Sequence, residues 1–117
     1  MVIVAIILWV AFAYIVSTTF AGCENTIIQT VESLNKKHKA VLFERSCGAT
    51  TGFSSQVSIL RIDEDLGNNG GNIYRAKGYP NNIALKWTSK NMLFVGGASF
   101  DAFKKRYQYN EIDIVYE

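Results

Sequence analysis

Phe43-Glu44-Arg45-Ser46-Cys47-Gly48-Ala49-Thr50-Thr51-Gly52-Phe53-Ser54-Ser55-Gln56-Val57-Ser58-Ile59-Leu60 sets an apolar run on each side of a polar, glycine-flanked loop and places one of the chain's 2 cysteines at the loop's entrance. Such a pattern reads as a strand, a loop and a second strand. Upstream, Ala40 to Arg45 is strand-like, and Asn25 to Val31 fits an edge strand better than a helix because Ser33 to Lys37 then supplies a turn between the two. Downstream, Gln56 to Ile62 alternates Val57, Ile59 and Arg61 against Ser58, Leu60 and Ile62.

The same alternation continues towards the C-terminus. Asp63 to Asn72 resembles a calcium loop, but a register begun at Asp63 puts Gly67 where a ligand belongs and Asn68 where glycine belongs. A type I′ hairpin turn through Asn69-Gly70, returning into Ile73 to Ala76, is the better reading. Ile83, Leu85 and Trp87 alternate with Ala84, Lys86 and Thr88, Ser89-Lys90-Asn91 forms a turn, and Met92 to Val95 returns. Ile112, Ile114 and Tyr116 close the series. The expected fold is all-β: a small antiparallel sheet domain of six or seven short strands, preceded by an N-terminal hydrophobic helix.

Residues 1–22 carry no charged side chain, so the 12 Lys and Arg and the 10 Asp and Glu all fall in residues 23–117. The division expected is an anchor or signal segment over 1–22 and an extracytoplasmic β domain over 23–117. As a helix, Met1 to Ala21 would reach about 32 Å against a hydrocarbon core of about 30 Å. Three readings compete for this segment: a transmembrane anchor, a cleaved signal peptide, and a lipoprotein signal that leaves Cys23 lipidated. Phe20-Ala21-Gly22-Cys23 is similar to a bacterial lipobox with Phe at its first position. No basic residue precedes Glu24, and Lys36, Lys37 and Lys39 follow the segment, which weakens any orientation drawn from the positive-inside rule.

Cys23 and Cys47 are an even pair, which in an oxidising compartment suggests one disulfide. Closing a loop of about 25 residues stabilises a fold by about 3.5 kcal/mol on the chain-entropy model. Lipidation of Cys23 and a Cys23–Cys47 bridge exclude each other, because both use the same sulfur.

The run Glu44-Arg45-Ser46-Cys47-Gly48-Ala49-Thr50-Thr51-Gly52-Phe53, continued by Gln56-Val57-Ser58-Ile59-Leu60, resembles a group of small bacterial proteins of unassigned function with an N-terminal hydrophobic segment and a short β-rich domain bearing a Cys-Gly-Ala-Thr-Thr loop. The resemblance implies fold and envelope location, not activity.

No constellation for catalysis is legible. The 1 histidine, His38, lies between Lys37 and Lys39; Ser54 and Ser55 lack a nucleophile-elbow context; Asp63, Glu64 and Asp65 sit in a turn. No phosphate loop, metal-ligand spacing or cofactor motif is present, and a net charge of +2 does not argue for nucleic acid. What remains is recognition of a protein partner, with Thr50, Thr51 and Phe53 on the cysteine loop and Tyr107 and Tyr109 beside Lys104-Lys105-Arg106 as the contact candidates. The expectation is a non-enzymatic bacterial envelope protein, membrane-tethered with its domain on the periplasmic or extracellular side, one version being an immunity-type protein. The alternative is an envelope lipoprotein with a structural or assembly role.

Overall fold

The computed structural model describes residues 2–20, 22–48, 52–99 and 101–117, with side chains in the N-terminal helix described through Phe12. Helix α1 spans Val2–Phe20 and is followed by strands β1 (Glu24–Glu32), β2 (His38–Ser46), β3 (Phe53–Arg61), β4 (Tyr74–Lys77), β5 (Ala84–Ser89), β6 (Met92–Gly96), β7 (Lys104–Lys105), β8 (Gln108–Tyr109) and β9 (Ile112–Tyr116). The strands form two sheets, in the orders β1-β2-β3-β4-β7 and β5-β6-β9-β8. Nine strands are present among the described residues, more than the six or seven expected, because the polar-aromatic run Phe103 to Tyr109 supplies two short ones.

The expected purely antiparallel sheet is also corrected. The first sheet is antiparallel throughout, but β6 and β9 pair in parallel, Leu93 opposite Ile114 and Val95 opposite Tyr116. The route of the chain is the reason. After β6 it crosses to the first sheet as β7 on β4, steps back into the second sheet as β8, turns at Asn110 (φ 53°), and enters β9 along the direction of β6. Arg106 N–H donates to the Ile73 carbonyl at 2.8 Å, and the Tyr116 hydroxyl lies 2.7 Å from the Arg106 carbonyl and 3.0 Å from that of Ile73. These bonds pin the corner where the strand changes sheets.

The sheets face each other across one core. Leu42, Val57, Ile59, Ile73 and Tyr74 of the first sheet and its approach meet Leu85, Trp87, Leu93, Val95, Ile112 and Ile114 of the second. Removing each large side chain from water contributes about 1.5–3 kcal/mol. The Trp87 indole N–H donates to the Val31 carbonyl at 2.9 Å, tying the second sheet to edge strand β1.

The outer face of the first sheet is covered as well, which the alternation in β2 and β3 did not suggest. Ala40 to Phe43 and Ser55 to Leu60 are buried without interruption. Residues 62–73 do the covering. Leu66 packs with Val41, Phe43 and Leu60; Asn72 Oδ1 accepts from Ile59 N–H at 2.8 Å while its Nδ2 donates to the Ile59 carbonyl at 2.8 Å; and Gln56 Oε1 accepts from Gly71 N–H at 2.6 Å. A side chain at Gly71 would put Cβ 2.6 Å from the Tyr74 carbonyl and 2.9 Å from the Gln56 Cβ, so only glycine lets the loop lie this close. The expected type I′ turn at Asn69-Gly70 is not formed, since neither residue has positive φ.

Among the described residues no helix is long and apolar enough to cross a membrane. The part of α1 with described side chains, Val2 to Phe12, reaches about 16 Å at the helical rise, roughly half a hydrocarbon core. All of these side chains are exposed, so the sandwich does not cover them.

Candidate functional site

The first sheet ends, at one edge of the sandwich, where β1 begins, β2 stops, β3 starts and β4 stops. Cys23 and Cys47 close there as a disulfide with a sequence separation of 24. The staple joins the residue just before β1 to the residue just after β2, so it locks the open end of that hairpin, and Cys23 lies three positions after the last residue of α1. With the sulfur of Cys23 in this bond there is no free thiol to take a lipid, and lipidation of Cys23 is set aside. The bridge also suits an oxidising, extracytoplasmic compartment.

Phe53 opens β3 beside the staple and is 42% exposed. Its ring lies 4.9 Å from that of Tyr79 at an interplanar angle of 32°. Two bonds hold the pair in register: Gly78 N–H donates to the Phe53 carbonyl at 3.0 Å, and the Ser55 hydroxyl donates to the Gly78 carbonyl at 2.7 Å. Phe103, positioned by its N–H on the Arg75 carbonyl at 3.0 Å, joins Phe53, Cys47, Lys77 and Arg45 around a cleft of about 250 Å³. Tyr79 and Phe103, exposed by 58% and 59%, were not singled out by the sequence reading. The available signals were Gly78-Tyr79-Pro80 between two strand units and Phe103 at the head of the aromatic run.

The nominated contact residues do not converge on one spot. Thr50 and Thr51 lie outside the described residues. Phe53 belongs to the first sheet, whereas Tyr107 and Tyr109 lie at the second. Tyr107 is 64% exposed and meets the Tyr116 ring edge-on, with centroids 5.3 Å apart. Tyr109 is half-buried against the core, with the Arg106 guanidinium 5.5 Å from its ring centroid. The Lys105 ammonium lies 5.4 Å from the Tyr116 ring centroid. Two cations of the basic run are thus engaged with the protein's own aromatic rings. Lys104, pressed against this surface near Arg75 and Arg106, has its pKa lowered by burial and then by those two positive charges. Burial pushes the Tyr116 hydroxyl up to about 12.

Ser54 and Ser55 are held by hydrogen bonds: the Ser54 hydroxyl donates to the Arg45 carbonyl at 3.3 Å and accepts from the Gln56 side-chain amide at 2.8 Å, and Ser55 is bonded to Gly78 as above. Glu64 accepts from Arg61 N–H at 3.2 Å, while Asp63 stands 3.9 Å from the exposed Arg61 guanidinium. His38 lines a separate cleft of about 340 Å³ at the opposite end with Lys37, Lys90 and Glu111. Among the described residues no group of three or more His, Cys, Asp or Glu side chains could hold a metal ion. No protein-family model, curated protein or solved structure matches the chain.

Proposed function

We propose that this chain is a membrane-tethered, extracytoplasmic binding module without catalytic activity, whose disulfide-stapled sandwich meets a protein partner, an immunity-type protein being one form of the role. The observation that carries the reading is the Cys23–Cys47 bridge set immediately after α1. Val2 to Phe12 is apolar on every side and wholly exposed. Helices of that kind are stable when something apolar surrounds them, and here the domain does not. Insertion of residues 1–22 into lipid supplies that surrounding and delivers Cys23 and Cys47 to a space where thiols oxidise. Tyr107, exposed on the second sheet, offers a partner a large and nearly rigid contact.

A reporter fused after Glu117 of the full chain, combined with alkylation of thiols before and after reduction, tests the placement. Extracytoplasmic reporter activity with both sulfurs protected until reduction is the expected result; a cytosolic reporter with both sulfurs freely alkylated overturns it. For the partner, co-purification from membranes with one specific protein, weakened by Tyr107→Ala, is expected. Recovery of the chain alone, together with no phenotype in competition assays, counts against the binding role.

A further inference from the structure

We infer that the disulfide end of the sandwich is a membrane-resting face, on which Phe53, Tyr79 and Phe103 enter the headgroup region of the bilayer that holds α1. The inference rests on the tethered reading above and adds an orientation to it. Three observations support it. The chain leaves α1 at Phe20 and is stapled at Cys23, so this end is never more than a few residues from the point where the chain emerges from lipid. The three rings are the large exposed aromatics of the same strand ends, two of them stacked and two lining one cleft. Finally, the described residues of the segments that form this end, 47–48, 52, 78–83, 97–99 and 101–103, include a single charged residue, Asp101.

Aromatic side chains at the lipid–water boundary seat an apolar ring below the headgroups and keep any polar tip wet. Tyr79 has that form, and Lys77, exposed beside the cleft, has the long stem that lets an ammonium group reach water or phosphate while its methylenes follow the apolar surface. The charged groups near the rings are of both signs: Arg45, held by the Asn25 side chain and the Asn68 carbonyl, and Lys77 line the cleft, and Asp101 has its carboxyl held below the usual range first by the Ser99 hydroxyl and also by the Lys77 ammonium. On this inference the rings supply the contact, and uncharged phosphatidylcholine is the lipid that tests them without help from anionic headgroups.

Quenching of tryptophan emission by phosphatidylcholine brominated along its acyl chains tests this on the full chain in vesicles. In the unaltered protein Trp9, in α1, reports the tether, and buried Trp87 is a silent reference. In a Trp9→Phe background, Tyr79→Trp is expected to lose emission to the brominated lipid, to shift to the blue relative to the same protein in water-exposed form, and to resist aqueous acrylamide, without dependence on salt. Leu34→Trp, at the opposite end, is expected to be quenched by acrylamide and not by lipid. If Trp9 is quenched while Tyr79→Trp answers only to acrylamide, the tether stands, the resting face is overturned, and the rings are left to a protein partner. Equal lipid quenching of Leu34→Trp and Tyr79→Trp also overturns the orientation. Unquenched Trp9 instead defeats the tethered reading itself.

Discussion

The two ends of the sandwich are made of different material. At the disulfide end the connecting segments are nearly uncharged, three aromatic rings stand in the open, and a covalent bridge closes the β1–β2 hairpin. At the other end the connections carry Lys36, Lys37, Asp63, Glu64, Asp65, Lys90 and Glu111, with Leu34 as the exposed apolar exception, and order comes from small polar turns. There Ser33 hydroxyl bonds Asn35 Oδ1 at 2.8 Å and accepts from His38 N–H at 3.1 Å, while Lys36 takes φ 56°. On the tethered reading proposed above, the near end would meet lipid or its boundary and the far end would meet water.

Breaking the staple is the strongest challenge to this contrast. Cys23→Ser with Cys47→Ser should lower unfolding stability by about 3.5 kcal/mol, the loop-closure contribution for a bridge of this span. Equilibrium denaturation of the oxidised protein against the variant measures it. A loss below that produced by a far-end substitution would show that the disulfide end does not depend on its covalent closure. The far-end comparator is Trp87→Phe, which deletes the donor to Val31 and part of a buried ring, and should cost about 1–3 kcal/mol with the sandwich still formed. Persistence of full stability in that variant would mean the indole does not tie β1 to the second sheet.

The smallest effect expected concerns Tyr116, at the corner that links the sheets. Its pKa is raised by burial to about 12, so folding favours the neutral phenol. The contribution is fully present below the ordinary tyrosine value of about 10 and is lost as pH climbs from there through 12. Tyr116→Phe should therefore flatten part of the stability decline between those pH values while leaving the acidic and neutral range parallel to that of the unaltered protein. The difference is modest, because the ring is only half-buried and water screens the charge. Identical alkaline profiles for the two proteins would remove Tyr116 as a source of the decline.

Much of the fold was legible along the chain because a strand announces itself locally. Asn25 to Val31, Ala40 to Arg45, Gln56 to Ile62, Ile83 to Thr88, Met92 to Val95 and Ile112 to Tyr116 all fall on observed strands, with ends displaced by a few residues at most. The cysteine pair was legible for a similar reason, since two cysteines after an apolar N-terminal stretch admit one intramolecular bridge. Less was visible of the site. Phe53 was found through the loop that precedes it, but its partners Tyr79 and Phe103 come from later in the chain and reach it only through the pairing of β3 with β4 and of β4 with β7. Tyr109 was nominated for a contact surface from its place beside Lys104-Lys105-Arg106, yet it packs on the core because β8 folds back along β9.

The sequence by itself determined the charge-free N-terminal stretch, the presence of most strands, the cysteine pair and the polar turns, since each depends on a residue and those within a few positions of it. Tertiary structure alone decided that β6 and β9 run in parallel, that residues 62–73 cover an outer face which alternation would leave wet, and that three separate aromatics share one end. Those outcomes depend on which distant segments meet, and a side-chain period of two specifies a strand's faces without specifying what will lie against them.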